Sequence, residues 1–327
     1  MKMITEIGVL LSVGLLLSSC RDQSSTVEPP PPAGSEDFWE STNLSYKGPI
    51  QAIFATGADV LAGTSDSTFF RSSDQGATWT HGDFGIGFEE DVLCFVRLSP
   101  TYLFAGTGGG GLYRSIDNGV TWSRIQTPGP GTIFWNLSVS TSGELLAAVF
   151  YGGVYQSTDS GSTWSRFWQG LDDRVLSVVR TSSGLLLAGT NSGLFVSLDN
   201  GASWQHDTNT VPTTYVLSIV LNSNNYVFIA CGHTVYRSTD FGLTWTNTGP
   251  NTTTEVFCLA VGPNDHVVAG TLGDGVFISS NHGDIWIRDT TGLANFTVRA
   301  IAVSSDGFVY GGTYPSGVFR SREPLSP

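Results

Sequence analysis

Basic residues are scarce in this chain. Lys and Arg together number 15 of 327 residues against 28 Asp and Glu, a formal charge of −13. No basic run occurs, and phosphate binding needs clustered Lys and Arg, so the composition argues against a nucleic-acid partner. The negative charge reads instead as solubility for an exported protein. Cysteine is limited to four, with no Cys-x-x-Cys pair and no Cys/His ligand spacing. That removes a metal site, and leaves a disulfide possible but not indicated. A Gly-x-Ser-x-Gly elbow, a phosphate-binding Walker loop and an EF-hand calcium loop are all missing, and no cofactor is expected. The run GTGGGGLY at 106–113 is glycine-rich but lacks Lys and leads into a strand, so it reads as a turn. Helical periodicity is absent from the body of the chain, and the one long apolar run, Ile7 to Leu17, is too short to span a bilayer comfortably.

That run belongs to a processing segment. Lys2 supplies the positive charge, and Leu17-Ser18-Ser19-Cys20 supplies a small-residue cleavage site ending in Cys. These four residues resemble a bacterial lipobox. The resemblance implies a lipoprotein signal peptide over residues 1–19, diacylation of the Cys20 thiol, and Cys20 as the new N-terminus. Two or three acyl chains anchor stably where one does not. Residues 20–37 form a Pro/Ser-rich tether with nothing to bury. Arg21 rather than Asp follows the Cys, which by the sorting habit of enteric bacteria favours the outer membrane of the cell envelope.

The body, residues 38–327, is a repeat. Tryptophans at 79, 122, 164, 204, 245 and 286 stand 43, 42, 40, 41 and 41 residues apart. A fixed period of this size signals a propeller or solenoid. Each unit carries an apolar run such as VLSVVRTS, a second ending in small residues such as LLLAGT, a GLYRS-like third, an Asp-containing turn, and a strand opening on Trp. Four short β-rich runs with turns between them make a four-stranded antiparallel meander, and each unit is one blade of an all-β propeller. First strands begin near Ile50, Val92, Phe134, Val175, Val216, Val256 and Val298, which makes seven blades. The seventh unit stops before any Trp, whereas Trp39 has no first three strands before it. The segment around Trp39 should therefore complete the C-terminal blade and close the ring, because an open ring leaves two unpaired sheet edges.

The recurring turn reads Ser-x-Asp-x-Gly-x-Ser/Thr-Trp, centred on Asp74, Asp117, Asp159, Asp199 and Asp240. It resembles the Asp-box, or BNR, repeat, and the match runs across residues 38 to 321. The Asp is expected to accept backbone N–H bonds two residues on as an Asx-turn, with Gly taking the positive φ. A residue present in five blades marks no unique site, so the turn is scaffold. A sixth copy carries Asn281 and Ile285 in place of Asp and Thr, a drifted turn or an altered surface.

The Asp-box families include sialidases, xyloglucan-cleaving glycosidases, sortilin-type receptors and photosystem II assembly factors, so fold alone chooses no activity. No Arg-Ile-Pro segment is present, and Arg71, Arg114, Arg237 and Arg320 recur at one third-strand position, which marks them structural and argues against a sialidase. A single exported seven-bladed ring most resembles the assembly-factor class and related bacterial lipoproteins. That implies a monomeric binding or scaffolding propeller with a protein partner or carbohydrate on one face. The loops that differ between blades lie opposite the turns, at the channel mouth, where function is expected. Candidate contact residues there are Glu90, Asp91, Trp135, Tyr151, Trp168, Asp172, Asp173, Arg174, Tyr215, Glu255, Arg299 and Tyr314. The alternative is a glycoside hydrolase using Asp91 and Asp173 as paired acids, which would need them ~5–10 Å apart. Cys94 and Cys258 fall in a slot of the innermost strand that is small in every blade, and read as buried fillers.

Overall fold

The structure is a computed structural model. It describes residues 27–28, 37–66, 68–83, 91–129, 132–172, 174–208, 211–212 and 214–325. Seven sheets, each built on an antiparallel meander of four strands, stand in a ring, with a short 3-10 turn at Pro263–Asp265 as the one helical element among the described residues. No helix there is long and apolar enough to cross a membrane. The innermost strands are Ile50–Thr56, Val92–Arg97, Ile133–Val139, Val175–Arg180, Val216–Leu221, Val256–Val261 and Val298–Val303, and they number blades 1 to 7.

Second strands, such as Leu103–Thr107 and Val267–Thr271, are buried along their whole length because each is covered on both faces by neighbouring blades. Their small residues are a packing requirement. A Cβ on Gly312 of blade 7 would meet Ile50 Cγ2 of blade 1 at 2.6 Å, and one on Gly63 of blade 1 would meet Val92 Cγ1 of blade 2 at 2.7 Å. The small slot of the inner strand also ties blades together. Ser177 Oγ accepts the Ile219 N–H at 3.0 Å, Ser218 Oγ accepts that of Leu259 at 3.2 Å, and the Cys94 thiol donates to Phe134 O at 3.3 Å. Cys94, Cys231 and Cys258 are free thiols, and burial pushes all three up to about 12.

The ring closes as expected. Trp39–Ser41 pairs antiparallel with Gly317–Ser321, in the register Trp39 to Ser321 and Ser41 to Phe319. Trp39 is 1% exposed and its indole N–H reaches Asp289 O of blade 6 at 3.1 Å. Val27–Glu28 pairs in parallel with Trp286 and Ile287, giving blade 6 a fifth strand. Part of the segment expected to hang free thus lies along a sheet edge.

The repeated turns are built alike, and differently from an Asx-turn. In blade 1, Asp74 Oδ1 accepts the N–H of Thr78, four residues on rather than two, at 2.8 Å, and Oδ2 accepts the Thr78 hydroxyl at 2.6 Å. Ser72 braces the same carboxylate at 2.7 Å and accepts the Gly76 N–H at 2.8 Å. Gly76 is left-handed, but so is Gln75 before it, and Asn118, Ser160, Asn200, Phe241 and His282 repeat that conformation. Two successive left-handed residues turn the chain sharply enough to bring both N–H groups onto the Ser and Asp oxygens. The sixth turn keeps this frame: Asn281 Oδ1 accepts the Ile285 N–H at 2.9 Å, and only the hydroxyl bond is gone. The third-strand arginines clamp the carbonyls of these left-handed residues in the next blade. Arg71 reaches Asn118 O, Arg114 Ser160 O, Arg237 His282 O and Arg320 Gln75 O, at 2.6–3.4 Å.

Candidate functional site

Residues that immediately precede the inner strands share one construction on the face opposite the turns. The carbonyls of Asp91, Arg174, Glu255 and Thr297 accept N–H groups from the second-to-third loops of their own blades, at 2.8–3.3 Å. Beside this rim, every inner strand carries a β-bulge near its start, between Ile50 and Ala52 in blade 1 and at the equivalent step in the other six. A bulge re-aims one side chain out of the ladder. The bulged residues are Gln51, Leu93, Trp135, Leu176, Leu217, Phe257 and Arg299. Four of them, Trp135, Leu176, Leu217 and Phe257, pack into one apolar cluster with Phe150 and Tyr215, forming a floor over blades 3 to 6. The remaining arc carries Arg299, Gln51 and Leu93, two polar positions and one apolar.

Several of the predicted site residues lie on this face. Trp135 packs on Phe150 with ring centroids 6.0 Å apart. Tyr151 is 45% exposed, left-handed at φ 59, and lies under the Arg174 guanidinium at 6.0 Å. Tyr314 is 46% exposed and pairs with Arg299 at 5.9 Å. Tyr215 donates to Glu255 Oε1 at 3.0 Å, joining blades 5 and 6, and burial together with that carboxylate raises its phenol above the ordinary value. Asp172 accepts the Arg174 N–H at 2.7 Å and the Ser192 hydroxyl at 2.5 Å. Asp91 is buried.

Trp168 stands apart from the floor. It lines a cleft of about 240 Å³ with Gly201 and Ala202 of the next blade's turn, and Arg166 lies 5.4 Å from its ring. The strong twist of a blade carries the outer strand sideways toward its neighbour, and Trp168 goes with it. Glu90 and Asp173 lie outside the described residues. Asp91 immediately precedes the first strand of blade 2, whereas Asp173 lies two residues before that of blade 4, so the first strand of blade 3 intervenes in chain order. Phe296 was not singled out by sequence; it is 42% exposed with Arg288 at 5.8 Å from its ring. The signal available was an aromatic in a fourth-to-first loop. No cluster of three or more His, Cys, Asp or Glu that could hold a metal exists among the described residues.

A profile of the DUF6242 beta propeller domain matches residues 171–305. No curated protein matches the chain in sequence. Among solved structures, the extracellular domain of the one component system BT4673 from B. thetaiotaomicron is 17% identical with a TM-score of 0.72; the match covers 88% of this chain and 40% of that one. This chain therefore spans two fifths of that structure's length. YCF48 bound to D1 peptide is 16% identical with a TM-score of 0.70, over 89% of this chain and 98% of that one. A streptogramin B lyase is 13% identical with a TM-score of 0.73, over 88% and 99%. At these identities the likeness establishes the propeller and nothing finer, since its bearers include the extracellular domain of a one component system, a protein bound to a peptide and a lyase.

Proposed function

We propose that this chain is an exported, lipid-anchored binding propeller of the cell envelope that docks a protein partner on the face opposite its repeated turns. Residues 1–19 are the cleaved signal peptide, residues 20–37 the tether carrying acyl chains on Cys20 to the outer membrane, and residues 38–327 the propeller. The observation that carries the docking reading is the packed apolar floor of Trp135, Leu176, Leu217 and Phe257 between exposed Tyr151 and Tyr314. Aromatics backed by Arg174 and Arg299 are the residue types that anchor interfaces. The carboxylates beside them are already engaged, Glu255 by Tyr215 and Asp172 by Ser192, which leaves them poorly placed for acid–base work. A rigid ring offers the ~800 Å² per partner that a specific interface needs. Similarity to a propeller of matching length solved with a bound peptide, and to an extracellular bacterial domain, supports the same reading.

A photo-crosslinking residue placed at Tyr151 or Tyr314 in the native envelope tests it. One discrete adduct is expected from both positions and none from Ile116 or Leu243, which are 63% and 56% exposed on the turns. Equal yields from both faces contradict the proposal. So does hydrolysis of a glycan panel that Asp91→Ala abolishes.

A further inference from the structure

The two ends of the channel differ. Opposite the turns it is floored by the bulged side chains, whereas on the turn face it opens into a cavity of about 770 Å³. That volume lies within the roughly 300–1,000 Å³ of small-molecule sites. Its walls are the ends of the inner strands and the first-to-second turns of blades 6, 7, 1 and 2. We propose that this cavity binds a carboxylate-bearing sugar, with Arg97 as the anchor. The proposal is independent of the docking face described above.

Arg97 carries the one charge among the described residues lining the cavity, in a protein that is otherwise strongly acidic. Its guanidinium is held in place against the Phe54 ring, 5.3 Å from the centroid, by bonds from Nη1 to Pro100 O at 3.1 Å and from Nη2 to Asn118 Oδ1 at 2.5 Å. Those bonds use two of its five N–H donors. Nη1 and Nη2 each keep a second hydrogen, and Arg97 enters no ion pair among the described residues. Nearby Asp59 is already bonded to Arg71 and Asn118. A fixed guanidinium with unspent donors matches the two oxygens of a carboxylate.

The rest of the wall narrows the class. Ser305 Oγ accepts the Gly57 N–H at 3.1 Å and keeps its own hydrogen to donate. The Thr56 hydroxyl makes no hydrogen bond among the described residues. Pro100 and Pro263, with the part of Phe54 that Arg97 leaves uncovered, add apolar C–H surface to the lining. A phosphate would bring close to two negative charges to a single cation. A fatty acid would leave the hydroxyls facing hydrocarbon, which costs free energy. A ring with hydroxyls, apolar C–H faces and one carboxylate satisfies both the cation and the wall; that is the chemistry of a uronic acid.

The test is a titration of the full chain with D-glucuronate, D-glucose and acetate, followed by backbone amide NMR shifts. Glucuronate is expected to move the amides of Thr56, Ser99, Ser304 and Ser305 saturably, and the other two probes to bind at least about tenfold more weakly. Arg97→Gln is expected to weaken glucuronate binding about ten- to a hundredfold, the loss of charge-assisted bonds. Ser305→Phe, which narrows the mouth and leaves Arg97 intact, is expected to abolish the shifts even if the arginine variant folds poorly. No saturable shift at these amides overturns the proposal. It is overturned equally if glucose or acetate matches glucuronate, or if neither substitution changes the titration.

Discussion

Replacing Trp39 by Ala removes a side chain that is 1% exposed and packs with Val268, Val276, Val298 and Phe319 across blades 6 and 7. Truncating a buried Trp costs about 3–5 kcal/mol, and losing the indole bond to Asp289 O costs about 1 kcal/mol more. The outer strand of blade 7 is only three residues long and comes from the opposite end of the chain; besides Trp39 it is held by its ladder to Gly317–Ser321 and by Glu40, which pairs with Arg320. A ring opened there exposes two sheet edges. At roughly 2–4 °C per kcal/mol for a domain of this size class, the melting temperature should fall by roughly 8–24 °C. The comparison is Trp79→Ala, where the ring is only half-buried, its N–H bonds the carbonyl of its own Gly76, and the strand follows its turn directly. Denaturant unfolding followed by far-UV circular dichroism gives both values, and amide exchange over Gly317–Ser321 reports the edge. Trp39→Ala should be the more damaging of the two and should deprotect that edge. An equal loss in both variants, with Gly317–Ser321 still protected, refutes closure by the chain ends as the reason for Trp39.

Further predictions follow from the turns and the packing. Bonds from the hydroxyls of Thr78, Thr121 and Thr163 hold Asp74, Asp117 and Asp159 down to about 2, from an ordinary value of 3.8. Because the folded values are depressed, their stabilisation is present above about pH 4 and is lost as the pH falls toward 2. Denaturant midpoints measured over that window should drop, and a triple Asp→Asn variant should flatten the drop; a wild-type midpoint that does not change contradicts it. Gly312→Ala should destabilise by about 1–3 kcal/mol because its new methyl meets Ile50, and a raised melting temperature would be the wrong sign. With Cys20→Ser, the folded protein should show no thiol reactive toward Ellman's reagent at pH 8, since burial holds Cys94, Cys231 and Cys258 near 12, and all three should react in urea. Palmitate labelling should mark the wild-type chain and not the Cys20→Ser variant; label retained by the variant contradicts the anchor.

Much of the ring was legible in the residues. The Trp spacing counts blades, and the unmatched Trp39 pairs with the blade that lacks one, because edge satisfaction allows no other use for it. Recurrence marked Arg71, Arg114, Arg237 and Arg320 as structural, and each does clamp the next blade's turn. The turn's second left-handed residue was not legible, because Gln75, Ser160 and Phe241 share no chemistry that announces it. Nor was the apolar floor: it arises from four bulged side chains that meet only when the inner strands stand around one axis. The sideways course of the outer strand moved Trp168 away from the mouth, a consequence of blade twist that loop order does not carry. Which end of the channel opens depends on side-chain volumes from several blades together, so the cavity at Arg97 had no local signature.

The central claim is that the turns are architecture and the opposite face is the working surface. The direct measurement is the affinity of the partner crosslinked at Tyr314 for Trp135→Ala and Tyr314→Ala, set against Asp240→Asn as the turn control. Both face variants should lose at least about tenfold in Kd, the usual cost of truncating a central aromatic anchor, while the turn variant binds like wild type. Weakened binding by Asp240→Asn at unchanged fold, with both face variants unaffected, would contradict the account.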